Sequence, residues 1–405
     1  MSIMRSWVVV ILAVLSGTTA AAGDWEMLSG GTDLSGWRVL GGDWSIQEGV
    51  ITGKAQAEEN CWLLWNGAAY ADCEIALEFR TPTPTNGGVQ FRSHWLPRVP
   101  LKEGGKAEDA PKQMYGYQVN VETRMRLGTG KLIDENGRGT LAETPMAAAK
   151  TLTQRGWNTM RIVARGPVIE VYLGEVLAHR TEDEKYLKGS IALQVYGMEM
   201  KEEAVVQYRN VRVKDLGREG TWRTLFDGAT LSGWKIWGEE EWTVEGGIIV
   251  GRSGPKKSEG YLATETQWKD FRVRAQFKML GEGNFGLFYH STITLRDDGY
   301  PVISGLQGEV EPGYPSKTGW VYESYKRGWL AEPELSQVGA VALQPGEWNE
   351  LEIRSQGNHV TTWLNGVRVQ DLVDAGQQLF EGSLALQLHT GGVDGIAWKE
   401  LFIEE

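Results

Sequence analysis

Two segments, Cys73-Glu-Ile-Ala-Leu-Glu-Phe-Arg80 and Phe271-Arg-Val-Arg-Ala-Gln-Phe-Lys278, decide the fold class of this chain. In the first, Cys73, Ile75, Leu77 and Phe79 fall on one side, and Glu74, Glu78 and Arg80 on the other. In the second, Phe271, Val273, Ala275 and Phe277 alternate with Arg272, Arg274 and Lys278. A strand sends successive side chains to opposite faces. This pattern therefore predicts an antiparallel strand with one face in a core and one in water. The two segments also resemble each other, which points to an internal repeat.

The repeat extends in both directions. Upstream, the decapeptide Leu225-Phe-Asp-Gly-Ala-Thr-Leu-Ser-Gly-Trp234 has a worn counterpart in Leu28-Ser-Gly-Gly-Thr-Asp-Leu-Ser-Gly-Trp37. It reads as a turn and a core anchor that begin each copy. Trp44-Ser-Ile-Gln-Glu-Gly-Val-Ile51 and Trp242-Thr-Val-Glu-Gly-Gly-Ile-Ile249 read as tight hairpins. Downstream, Asn86-Gly-Gly-Val-Gln-Phe-Arg-Ser93 matches Asn284-Phe-Gly-Leu-Phe-Tyr-His-Ser291, and 116–122 matches 305–311. Thr129-Gly130 pairs with Thr318-Gly319, and Gly189-Ser-Ile-Ala-Leu-Gln194 with Gly382-Ser-Leu-Ala-Leu-Gln387. A Pro- and Gly-rich loop is expected over 96–114, with a shorter counterpart over 292–304. Helical periodicity is absent apart from one short candidate at 142–153.

Many short strands separated by turns predict an all-β chain of two tandem concanavalin-like β-sandwich, or jelly-roll, domains. The boundaries read as a signal peptide at 1–22, a first copy at 23–216, a linker at 217–221 and a second copy at 222–405. The signal peptide rests on Arg5, the apolar run 8–15 and the small residues 20–22. It implies a periplasmic or secreted protein. No apolar run is long enough to span a membrane.

Composition agrees with this picture. The chain has 405 residues, 41% hydrophobic content and a net charge of −12, which excludes the basic footprint of a nucleic-acid binder. Eighteen Trp and 52 Gly suit a turn-rich β protein, with most of the Trp in cores. Cys61 and Cys73 are the two cysteines. A disulfide and a pair of buried thiols are both open readings.

Taken in order, these motifs resemble the 3-keto-disaccharide hydrolase family, once per copy. They comprise the Gly-Trp decapeptide, an Asn-x-Gly strand, a polar strand where the family has Glu-x-Gln, Thr-Gly, Gly346-Glu-Trp-Asn349, Leu364-Asn-Gly366, Leu386-Gln-Leu-His389 and Tyr208-Arg-Asn210. Departures are visible. The first copy has Gln118-Val-Asn120 at the polar strand and Tyr196 where the family has His. The second has Gln307-Gly-Glu309, and it has His290 where the first keeps Arg92.

The resemblance implies a jelly roll that acts on an oligosaccharide or glycoside oxidised at C3. A base removes the C2 proton, the aglycone leaves by β-elimination, and water adds back. Such a site needs a tuned base and a donor for the enolate oxygen. Strand parity puts Gln307, Glu309 and Glu311 on one face, with Gln387 and His389 able to meet them. The candidate catalytic residues are therefore Glu309, Glu311, His389 and His290 in the second copy, and Glu122 and Arg92 in the first. Candidate substrate-binding residues are Gln307, Gln387, Gln118, Asn120, Gln194 and Tyr196. The Thr-Gly segments add Asp134, Arg138, Glu323 and Arg327. No cofactor is required by the sequence. A divalent metal on loop oxygens is compatible with it, but no ligand spacing assigns one. The alternative is a non-catalytic pair of carbohydrate-binding modules.

Overall fold

The computed structural model describes residues 24–56, 58–96, 113–122, 128–154, 156–197, 203–218, 220–312, 316–331, 339 and 342–405. The expected signal peptide and most of the expected 96–114 loop lie outside these residues. Four antiparallel sheets build two sandwiches, each with one eight-stranded and one seven-stranded sheet. The strands Asp72–Arg80 and Phe271–Met279 lie inside the eight-stranded sheets. Their alternating apolar residues Ile75, Leu77, Phe79, Val273, Ala275 and Phe277 are buried in the core. The one α-helix among the described residues is the short Met146–Ala149.

Local chemistry accounts for the turns. The hairpin between Asp43–Gln47 and Val50–Ala55 turns through Glu48 and Gly49, both at positive φ (50° and 74°). Gly246 and Gly247 do the same in the second copy, at 59° and 85°. Two successive positive φ values match the right-handed twist of the flanking strands. The Gly-Trp decapeptides anchor the fold. Trp37 Nε1 donates to Leu28 O at 3.0 Å and Trp234 Nε1 to Leu225 O at 2.8 Å. Asp227 accepts from the Ala229 and Thr230 amides at 2.7 Å, which closes the turn.

One expectation changes here, and one open question closes. Residues 292–304 are mainly a strand pair, not a loop. Phe285–Leu295 and Pro301–Val310 stay in register from Thr292↔Ser304 to Leu295↔Pro301, leaving a turn at 296–300. Cys61 and Cys73 are both free thiols. They lie on opposite sheets of the first sandwich, and burial pushes both thiols up to about 12.

The copies are joined through 184–188 of the first copy and Arg218 of the linker, which meet strands of the second. Leu187 N donates to Gly366 O at 2.7 Å, Arg368 N to Lys185 O at 2.8 Å and Trp363 Nε1 to Glu184 O at 2.7 Å. Glu350 pairs with Lys188 at 3.1 Å and also with Arg218. Burial works against its charge, but these cations hold its carboxyl down at about 2.

Candidate functional site

The seven-stranded sheet of each copy has one face on the core and one facing away. In the second copy Leu306 and Val310 enter the core, so Gln307 and Glu309 face outward from it. Leu384, Leu386 and Leu388 likewise leave Gln387 on the outer face. Gly286 lies between the two strands, paired with Glu309 on one side and Gln387 on the other. A Cβ there would come within 2.1 Å of Gln307 Nε2. Glycine thus lets the Gln307 side chain lie across the strand and donate to Gln387 Oε1 at 2.8 Å.

The chain of hydrogen bonds continues. Gln387 Nε2 donates to Glu259 Oε1 at 2.8 Å. Glu259 Oε2 accepts from Tyr325 at 3.1 Å and Tyr300 at 3.3 Å. Burial and the Glu259 charge push the Tyr325 phenol up to about 12. Glu259 immediately precedes the strand Gly260–Trp268, which pairs with Gly382–Leu388. Sequence reasoning missed Glu259, Tyr300 and Tyr325. Only the pairing of distant strands brings them to Gln387.

Glu309 differs from its neighbours. It is 3% exposed, and its Oε1 has no hydrogen-bond partner among the described residues. Burial, reinforced by the charge of Glu311, pushes its carboxyl up to about 8, against a hydrogen bond from the Asn284 side chain. Glu311 is half-buried and His389 exposed, so this end of the face opens outward. His389 N donates to Asn284 O at 3.2 Å, which sets the histidine beside the asparagine. The Thr318 hydroxyl fixes the Glu311 backbone, accepting from its N–H at 3.1 Å and donating to its carbonyl at 3.0 Å.

The first copy reproduces the frame with different groups. Gly88 lies between Gln194 and Asn120, and its Cβ would come within 2.5 Å of Gln118 Cδ. Gln118 accepts from Gln90 Nε2 at 3.1 Å. Gln194 Nε2 donates to Asn60 Oδ1 at 2.8 Å and Glu135 Oε1 at 3.3 Å. Burial raises the Glu135 carboxyl, opposed by hydrogen bonds from Asn60 and Gln194. Asn120 stands where the second copy has Glu309. Thr129 holds the Glu122 backbone as Thr318 holds Glu311. Tyr196 pairs with Asn60 and Asn86 at the half-buried rim of this face.

Other candidates lie elsewhere. Arg92 and His290 do not reach these faces. Both sit in β-bulges at φ 47°, and the extra residue reverses strand parity there. Arg92 is 1% exposed and donates to Ala71 O and Gly166 O at 2.7 Å and to Asp72 Oδ1 at 2.9 Å. His290 Nε2 bonds Lys269 O at 2.7 Å, and its ring packs on Phe271 and Tyr289. The Thr-Gly clusters are clamps away from these faces. Arg138 grips Asp183 at 2.8 and 2.9 Å and Asp134 at 2.6 Å. Arg327 grips Asp374 twice at 2.7 Å and also bonds Glu323. Asp134 and Glu323 are buried, because odd and even positions of their short strands face opposite ways.

Among the described residues, no group of three or more His, Cys, Asp or Glu is placed to hold a metal ion. No helix among them is long and apolar enough to cross a membrane.

Residues 24–214 and 221–404 each match the family described as 3-keto-alpha-glucoside-1,2-lyase-like domain. A stretch of 94 residues is 33% identical to a 3-keto-disaccharide hydrolase of Bacteroides thetaiotaomicron, covering 20% of this chain and 32% of that protein. Among solved structures, a Bacillus subtilis protein of unknown function with a galectin-like fold is 15% identical over 50% of this chain and 99% of its own, with a TM-score of 0.38. The carbohydrate-binding module CBM66 of Bacillus subtilis is 19% identical over 44% of this chain and 95% of its own, with a TM-score of 0.33.

Proposed function

The chain belongs to the 3-keto-alpha-glucoside-1,2-lyase-like domain family, in two copies, and on that premise we propose that the second copy cleaves 3-keto-glycosides with Glu309 as the base. The observation that carries this reading is the Glu309 carboxyl, buried on the outer sheet face, its Oε1 without a partner among the described residues, and raised to about 8. A base of high pKa is the stronger proton acceptor, and burial supplies that.

The C3 ketone acidifies the proton at C2. Ionised Glu309 takes that proton, and the electron pair left behind forms a C1=C2 double bond. The C1–O bond breaks, and the aglycone oxygen leaves with its electrons and picks up a proton. His389, exposed beside Asn284, is the group assigned to supply that proton. The Gln307 and Gln387 amides bind sugar hydroxyls, held by the Glu259 and tyrosine chain. Water then adds across C1=C2: it gives its proton back to His389 as its hydroxyl bonds C1, and Glu309 returns the earlier proton to C2. The sum is hydrolysis.

Incubating the full chain with 3-keto-trehalose and a 3-keto-glucoside tests this. Release of the aglycone is expected. No release, with or without added divalent cations, overturns it. Export is a further part of the proposal, resting on Arg5 and the apolar run 8–15. Amino-terminal sequencing of the exported protein tests for cleavage after Ala22.

A further inference from the structure

We propose that the outer sheet face of the first copy is a separate binding site for an uncharged, polyhydroxylated sugar, and that it binds without turning the sugar over. The floor of this face is made of amides. Gln90, Gln118, Asn120 and Gln194 are between 0% and 3% exposed. Asn120 Nδ2 donates to Gly128 O at 3.1 Å, and a backbone carbonyl can only accept. That bond fixes the amide with Oδ1 as its free end. Gln194 spends its NH2 on Asn60 Oδ1 and Glu135 Oε1, so Oε1 is the free end there. Both oxygens are buried and lack a partner among the described residues. They stand on either side of the side-chain-free Gly88.

Beside Gln194, on the paired strand, is Trp62. Its ring lies 5.9 Å from that of Trp95, and both indole N–H groups also lack a partner among the described residues. Trp62 is 5% exposed, and it packs with Leu64, Met114 and Ala192 in a cluster separate from the main core. Tyr208 braces the floor from the core side. Its hydroxyl lies 2.8 Å from Gln194 O and 3.1 Å from Gly88 O.

These groups define the ligand. The amide oxygens need O–H donors, the indole N–H groups need oxygen acceptors, and the indole faces need apolar C–H surface. A neutral sugar ring offers all three. A phosphate or carboxylate does not, because it brings acceptors to acceptors. The charged side chains hydrogen-bonded to this floor, Glu122 and Glu135, are also acidic. With Asn120 in place of Glu309 there is no base on that row, so binding ends without elimination. The site stands whether or not the second copy is a catalyst.

The test is isothermal titration calorimetry on the full chain. The probes are methyl α-glucoside, methyl β-galactoside, trehalose and sucrose, which lack the 3-keto group, with glucuronate and glucose 6-phosphate as charged controls. At least one neutral sugar is expected to bind at a site that Gln387→Leu leaves intact. Gln194→Leu and Asn120→Leu should each weaken that site roughly tenfold, the value of one neutral hydrogen bond. Trp62→Phe, which removes only the indole N–H donor and some ring area, should do the same if either leucine variant fails to fold. Three results overturn the proposal. They are no neutral sugar binding, binding unaffected by these first-copy variants, or equal binding of the charged controls. Failure of the proposed catalysis would instead show as absent turnover with this binding intact.

Discussion

The two outer sheet faces share one frame and differ in where they keep their acids. In the second copy the row beside the bare glycine reads Gln387, Gly286, Glu309; in the first it reads Gln194, Gly88, Asn120. The flanking glutamine is tied to Glu259 in one copy, and to Asn60 and Glu135 in the other. The carboxyl next to the glutamine has therefore changed strands. The carboxyl beside the glycine is present in one copy and is an amide in the other. The frame is set by backbone register and a glycine. The chemistry is set by a few polar side chains placed on it, and these can change without disturbing the sandwich. One frame thus carries two different polar rows.

Glu309→Gln puts this contrast to its hardest test. It makes the second row resemble the first, and turnover of 3-keto-trehalose should fall about a thousandfold, or ~4 kcal/mol in the barrier. Activity that survives in steady-state assays would assign catalysis to the first copy. Next in size is Arg92→Ala. It removes the cation from a buried pair with Asp72 and should cost about 3 kcal/mol in denaturant unfolding. His290→Ala, at the matching bulge, breaks no ion pair and should cost less. An equal cost would show that the two bulges are supported alike.

A third prediction concerns pH. As a base Glu309 must be ionised, so its limb of the kcat/KM profile should rise with pH up to about 8, while the limb of the acid that protonates the leaving group should fall as that acid loses its proton. The stability effect has the opposite sense. The folded protein holds this proton to higher pH than the unfolded chain, whose Glu releases it near 4.5. Stability from this group is therefore fully present below that value and is lost as pH rises towards 8. Glu309→Gln should raise the melting temperature at pH 9 relative to wild type, with a smaller change at pH 5. A uniform shift would mean that the carboxyl titrates normally. The smallest effect is expected for Gly286→Ala. The atoms nearest the new Cβ are Nε2, Cδ and Cγ of Gln307, so that side chain must swing away and stability should fall by about 1 kcal/mol. The displaced amide should raise KM more than it lowers kcat, which steady-state kinetics would resolve.

The duplication, the strand class and the sharing of faces by polar residues were all legible in the order of the amino acids. Alternation in Asp72–Arg80 and Phe271–Met279 is a local property of extended backbone and survives into the sandwich unchanged. The same parity placed Gln307, Glu309 and Gln387 together on one face. It failed at Arg92 and His290, because a bulge inserts one residue and reverses the count, and nothing at those positions announces it. What meets across strands was settled only by the packing of the chain. Glu259 joins Gln387, and Asn60 joins Gln194, through pairings between segments more than a hundred residues apart. Packing also selected which carboxyl is tuned. Glu309 and Glu311 are two residues apart on one face, yet Glu309 is buried, its Oε1 without a partner among the described residues, while Glu311 is half-buried. Burial is a property of the packed sheet rather than of the residue, and burial is what raises that pKa.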